Sequence, residues 1–154
     1  MIGKVFTVLF GDKSEKDIKE IKPYVDKTLT AHAKLTSISD DELRAKTAEL
    51  KTRINKYISS EEETIKSLKE AIEVAGISID EKEANFSEIE KLEKEIDKKI
   101  EEVLLEILPE AFAVVKETAR RYAENGFLEV TTTETDKLFA SSFKNVEING
   151  DKAK

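Results

Sequence analysis

Very few side chains in this sequence have the type and spacing for chemistry. His32 is the single histidine, and there is no cysteine and no glutamine. A lone imidazole with no second histidine or thiol beside it is a poor metal ligand or general base, so a loop or core histidine is the better reading. Asp40-Asp41 could bind a cation or divide acid and base work. Directly after Ser39, they are better explained as favourable charges at a helix start. Arg120-Arg121 offers two forks to a phosphate, but at a helix end arginines also complement the helix dipole, and that explanation is preferred. A nucleotide loop needs G-x-x-x-x-G-K-[ST], whose backbone amides cradle phosphate. The glycines are Gly3, Gly11, Gly76, Gly126 and Gly150; Gly3 alone precedes a lysine, and Val5 follows it. No catalytic, cofactor-binding or metal residue is therefore assigned. The apolar positions Ile2, Val5, Phe6, Leu9 and Phe10 are candidate membrane-surface contacts, weighed against a frayed terminus packing on its own protein.

Charge and composition narrow the class. Charged residues make up 38% and hydrophobic ones 39%, with two prolines, a mixture typical of long amphipathic helices. Without cysteine, disulfide stapling is out. No apolar run reaches the roughly 18 residues that span a bilayer, and Met1–Phe10 lacks a signal peptide's cleavage site. A cytoplasmic protein is the default. From Glu61 to Glu110 there are 17 acidic and 7 basic residues, whereas the whole chain carries −7. That acidity argues against nucleic acid or anionic lipid docking there, and most simply forms a solvated face.

Helix punctuation and periodicity supply the elements. Ser14 can cap a helix carrying Ile18, Ile21, Val25 and Leu29, with Pro23 expected to kink or divide it near Lys22. A loop is expected around His32 to Ile38. Ser39 and Glu42 form a capping box opening a second helix, with Leu43, Leu50, Ile54 and Tyr57 as its buried stripe. Ser60 and Glu63 could cap again, but continuity is favoured, since no glycine or proline intervenes before Gly76. Ile65, Leu68, Ile72 and Ala75 then face Phe86, Ile89, Leu92, Ile96, Ile100, Val103 and Ile107 across a turn at Gly76–Asp80, predicting an antiparallel helical hairpin. Pro109 is expected to end that helix or open the next, and Gly126 to stop the one after it. Phe127–Thr133 reads as a strand, Phe143–Ile148 as a weaker one, and Asn149-Gly150 as a hairpin turn. The four residues after the turn are too few for a full return strand. The tail is expected to be the least stably ordered part. The rival expectation is a small sheet anchored on the helices by Phe127, Phe139 and Phe143.

Two blocks carry a family likeness. Ser39-Asp40-Asp41-Glu42-Leu43-Arg44-Ala45-Lys46-Thr47-Ala48-Glu49-Leu50-Lys51 resembles a family form near LSDEELRAKTAEFK. Ile107-Leu108-Pro109-Glu110-Ala111-Phe112-Ala113-Val114-Val115-Lys116-Glu117-Thr118-Ala119-Arg120-Arg121 resembles LLPEAFAVVREASRR. Both belong to the amino-terminal region of SecA, the ATP-driven motor of bacterial protein export, and the likeness covers about Phe10–Lys56 and Ile107–Arg121. It implies a translocase subunit working with ATP and magnesium, the SecYEG channel and preproteins, peripheral to the inner membrane. It also implies contact with anionic lipid and possible homo-oligomer contacts. In that family the phosphate loop, and the glutamine near the adenine, lie downstream, so the chain is expected to be a fragment with no ATPase activity of its own. The expected fold is mainly α: long helices with an antiparallel helical hairpin insertion, plus a short incomplete β segment at the C-terminus. The expected parts are 1–58, an N-terminal helical region; 59–106, the acidic hairpin insertion; 107–125, a scaffold helix of the first nucleotide-binding domain; and 126–154, a truncated β insertion. The alternative is a free-standing helical protein-interaction module without enzymatic activity.

Overall fold

The computed structural model describes the backbone of residues 2–154 and the side chains of residues 15–154. Three long helices dominate: α1 (Ile2–Leu35), α2 (Asp40–Ile72) and α3 (Ile79–Asn125). A short strand β1 (Val130–Thr131), a helix α4 (Glu134–Ser142) and strands β2 (Ile148–Asn149) and β3 (Lys152–Ala153) follow. The mainly α class stands.

Two compact units partition the chain: residues 1–46 with 108–154, and residues 47–107. In the first, Leu35, Leu43 and Ala113 form the buried core, flanked by Ala31, Ile38 and Val114. In the second, Ile65, Ile72 and Ile89 are buried, with Leu68, Leu92 and Ile96 packed against them.

The second unit is the predicted antiparallel hairpin. Its seam steps by four and three along α2 through Ile58, Glu61, Ile65, Leu68 and Ile72, the coiled-coil rhythm. Gly76, at φ +87°, takes the left-handed turn that a side chain would resist. Ser78 then caps α3: its hydroxyl and amide bond to Glu81 Oε2 at 2.7 and 3.0 Å. Three cross-helix polar contacts fix the register: Arg53 to Glu106 at 2.7 Å, Tyr57 to Glu102 at 3.2 Å, and Lys99 to Glu61 at 2.6 Å. Each step moves up α2 and down α3 by three or four residues, as antiparallel packing demands. Tyr57 is therefore a rim residue, and Ile58 takes the buried place expected of it. Phe86 and Ala75 also lie outside the seam.

Both prolines lie inside helices, Pro23 in α1 and Pro109 in α3. Each removes one backbone donor. Around Pro109 the buried Ile107 and Ala113 hold the turns on either side, so packing outweighs the missing bond. His32 lies within α1, and the loop begins only after Leu35. The expected stripe Ile18, Ile21, Val25 and Leu29 is about half exposed or more, 47–61%.

The tail folds into a sheet of order β1-β3-β2, antiparallel throughout. The return strand expected to be too short is two residues long and central: Ala153 pairs with both Val130 and Ile148. Gly150 makes the turn at φ +65°. Helix α4, unforeseen, starts at a Thr133–Asp136 capping box. Phe127, Phe139 and Phe143 do not anchor the tail, being 42–57% exposed; the buried side chain is Ala153.

Candidate functional site

The conspicuous side chains of the sequence converge in the first unit, around Arg121 and Glu117 of α3. Glu117 is fully buried and Arg121 is 6% exposed. Glu117 Oε1 accepts from Arg121 Nε at 2.8 Å and Arg120 Nη2 at 2.7 Å, and Oε2 accepts from Arg120 Nε at 2.9 Å. The spacing explains the cluster: residues three and four apart share a helix face. Arg121 extends the network outward. Its Nη1 donates to Asp40 at 2.6 Å, and its Nη2 donates to the carbonyls of Leu35 at 3.0 Å and Ile38 at 2.7 Å. One guanidinium thereby ties the end of α1, the connecting loop and the start of α2 to α3. Arg120 also pairs with Glu124.

His32 Nε2 lies 2.9 Å from Glu117 Oε2, but without the alignment of a hydrogen bond, and it has no other partner.

The helix start at Ser39 does more than cap. Ser39 and Glu42 form the predicted box, the Ser39 amide and hydroxyl donating to Glu42 Oε2 at 2.7 and 2.9 Å. Asp40 and Asp41 reach the tail. Asp40 Oδ2 accepts the Glu129 amide at 3.1 Å; Asp41 accepts the Thr131 amide and hydroxyl, both at 2.7 Å. Alternate amides of a strand point to one edge, so two carboxylates stand where a neighbouring strand would. Arg44 completes the clamp with a bidentate pair to Asp136, both bonds 2.8 Å, and a bond to Thr133 Oγ1 at 3.2 Å.

Electrostatics show what this cluster can do. The arginine bonds, Arg120 first and then Arg121, hold the Glu117 carboxyl at about 2 despite its burial. Arg44 and then Thr133 hold Asp136 at about 2 as well. Thr131 keeps Asp41 below the ordinary carboxylate range. For Arg121, burial works against the charge, but Glu117 and Asp40 outweigh it and raise its value. A carboxylate this acidic is a poor general base near neutral pH. Arg121 spends its forks on Glu117, Asp40 and two carbonyls, and Arg120 on two glutamates, so the phosphate reading fails, and so does simple dipole complementation. The cluster is a joint between α1, α2, α3 and the tail.

Sequence reasoning singled out His32, Asp40, Asp41, Arg120 and Arg121 but not Glu117, Arg44 or Asp136, and not the pairing, since Arg121–Asp40 and Asp41–Thr131 span 81 and 90 residues. Two capping boxes it missed, Ser78–Glu81 and Thr133–Asp136, carry the local S/T-x-x-D/E signal that would have found them. The candidate membrane contacts Ile2, Val5, Phe6, Leu9 and Phe10 lie on α1, outside the residues whose side chains are described. Among the described residues no helix is long and apolar enough to cross a membrane, and no group of three or more acidic or histidine side chains could hold a metal ion.

Comparison with known proteins places these features in a lineage. The family model of the SecA DEAD-like domain matches residues 6–135. The protein translocase subunit SecA of Porphyromonas gingivalis is 47% identical over 145 residues, covering 94% of this chain and 13% of the relative. That of Parabacteroides distasonis is 46% identical over 151 residues, 98% of this chain and 13% of the relative. That of Cytophaga hutchinsonii is 45% identical over 154 residues, 99% and 14% respectively. The alignments run through the hairpin and the tail as well as the two blocks. The chain spans 13–14% of the length of these relatives. No solved structure matches.

Proposed function

This chain belongs to the SecA family, and from that premise we propose that it is the amino-terminal scaffold of a preprotein translocase subunit. The whole protein would couple ATP hydrolysis, with magnesium, to preprotein export through the SecYEG channel at the inner membrane. The chain's part in this is mechanical: it ties the end of α1, the start of α2, the C-terminal part of α3 and the tail together. Docking to lipid or channel would fall to Ile2, Val5, Phe6, Leu9 and Phe10. The observation that carries the reading is the joint: Arg121, Glu117, Asp40, Asp41 and Arg44, all within the two SecA-like blocks, are consumed by internal contacts.

A chimaera tests it. This chain replaces the matching segment of the Porphyromonas gingivalis SecA, and preprotein-stimulated ATP hydrolysis and import into inverted membrane vesicles are measured. The expected result is import that persists with the chimaera and falls sharply when Arg121→Ala is added. A folded chimaera that hydrolyses ATP but imports nothing would refute the scaffold role. The chain by itself is expected to show no turnover above background.

A further inference from the structure

Apolar side chains at the hairpin tip have no part in holding the hairpin together. The seam ends at Ile72 and Ile89. Beyond it, Val74, Ile79 and Phe86 are 60%, 76% and 56% exposed. Ile79 and Phe86 are seven residues apart on α3, hence on one face. The turn that presents them is pre-set by Gly76 at φ +87° and by the Ser78–Glu81 cap. Such a surface loses little freedom on binding.

Charge decides what can cover it. Residues 70–90 hold seven carboxylates and one lysine, Lys82, a net of −6. Glu73, Asp80 and Glu83 are exposed and make no ion pair among the described residues. An anionic membrane or a nucleic acid is repelled by this field. So is a second copy meeting tip to tip, −6 against −6. The surface suits a cationic partner with apolar side chains of its own.

We propose that the hairpin tip is a docking surface for a protein segment in which lysines or arginines flank apolar side chains. Ile79 and Phe86 take the apolar contacts, while Asp80 and Glu83 take the cations. This does not depend on the translocase reading. Apolar contact supplies the affinity, and the carboxylates supply approach and selection against other surfaces.

Fluorescence anisotropy with the full 154-residue chain tests it, using a labelled amphipathic leucine–lysine peptide and a leucine–glutamate counterpart. The lysine peptide is expected to bind, more weakly as salt rises, and the glutamate peptide not to bind. Ile79→Ser with Phe86→Ser should weaken binding roughly tenfold or more, as loss of a central anchor does. Asp80→Lys with Glu83→Lys should shift preference toward the glutamate peptide, a gain that misfolding would not produce. Lysine-peptide affinity unchanged by either pair overturns the proposal. So does capture of phosphatidylglycerol vesicles that is lost on Ile79→Ser with Phe86→Ser, which would make the tip a lipid surface.

Discussion

The two units solve the same packing problem with opposite chemistry. The hairpin is held by a repeating apolar seam with polar contacts at its rim and a single ion pair, Glu61–Lys99, set into the stripe. Among its described residues, the other unit buries few large apolar side chains, Leu35 and Leu43 among them, and places a fully buried glutamate and a buried arginine where a seam would run. A seam tolerates sliding by a heptad, because each step resembles the last. A charged joint does not, because Arg121 must meet Glu117, Asp40 and two particular carbonyls together. The hairpin separates these roles, with isoleucines for stability and the Arg53–Glu106, Tyr57–Glu102 and Glu61–Lys99 contacts for register. The joint fuses them, so disturbing one residue there affects every element it ties.

The largest effect is therefore expected at the joint. Arg121→Ala should cost about 3–5 kcal/mol by urea unfolding, since it strips the arginine donor from Asp40 and from the Leu35 and Ile38 carbonyls and leaves buried Glu117 to Arg120 alone. A loss below that of a hairpin core residue would erase the contrast. Acid probes the same group. Glu117 is held at about 2 against an ordinary 4.5, and Asp136 at about 2 against 3.8. Folded carboxylates with lowered values bind fewer protons than unfolded ones, so their stabilisation is complete above the ordinary values and is lost as pH falls toward 2. Amide exchange at falling pH should therefore show protection disappearing from residues 108–142 ahead of the Ile65–Ile72 seam; the reverse order would contradict the assignment.

Smaller effects sharpen the hairpin side. Ile89→Ala should cost about 2–3 kcal/mol, toward the low end for buried isoleucine because a two-helix hairpin can partly collapse around the gap. Ser78→Ala should cost about 1 kcal/mol through the lost cap, read as a lower thermal midpoint. Lys94→Ala, on an exposed side chain with a 4.0 Å contact to Glu90, should change stability by only a few tenths of a kcal/mol. A Lys94 effect equal to that of Ile89 would mean the seam is misplaced.

The same contrast explains what could be read in the sequence. The seam was legible because its information is local: Ile65, Leu68 and Ile72 announce a stripe, Gly76 its end, and Ile89, Leu92 and Ile96 its partner. Ser39–Glu42 and Asn149-Gly150 are local signals of the same kind. The joint was not legible, because nothing near Asp41 says that its carboxylate will accept from Thr131. Pro109, expected to end a helix or open the next, misled for a related reason. Proline reports a lost donor, while tertiary contacts decide whether the helix survives it. Tyr57 misled by its apolar ring, since its hydroxyl bond to Glu102 fixes it at the rim.

The carboxylates beside β1 have one more consequence. An unpaired strand edge is a template for other chains, and proteins usually blunt it with charge or cover. Here Asp40 and Asp41 occupy the outward amides of Glu129 and Thr131. An incoming strand would have to displace two charge-assisted bonds from carboxylates that Arg121 and the Thr131 hydroxyl hold in place. The helix start that joins the tail to the body thereby also guards that edge against aggregation.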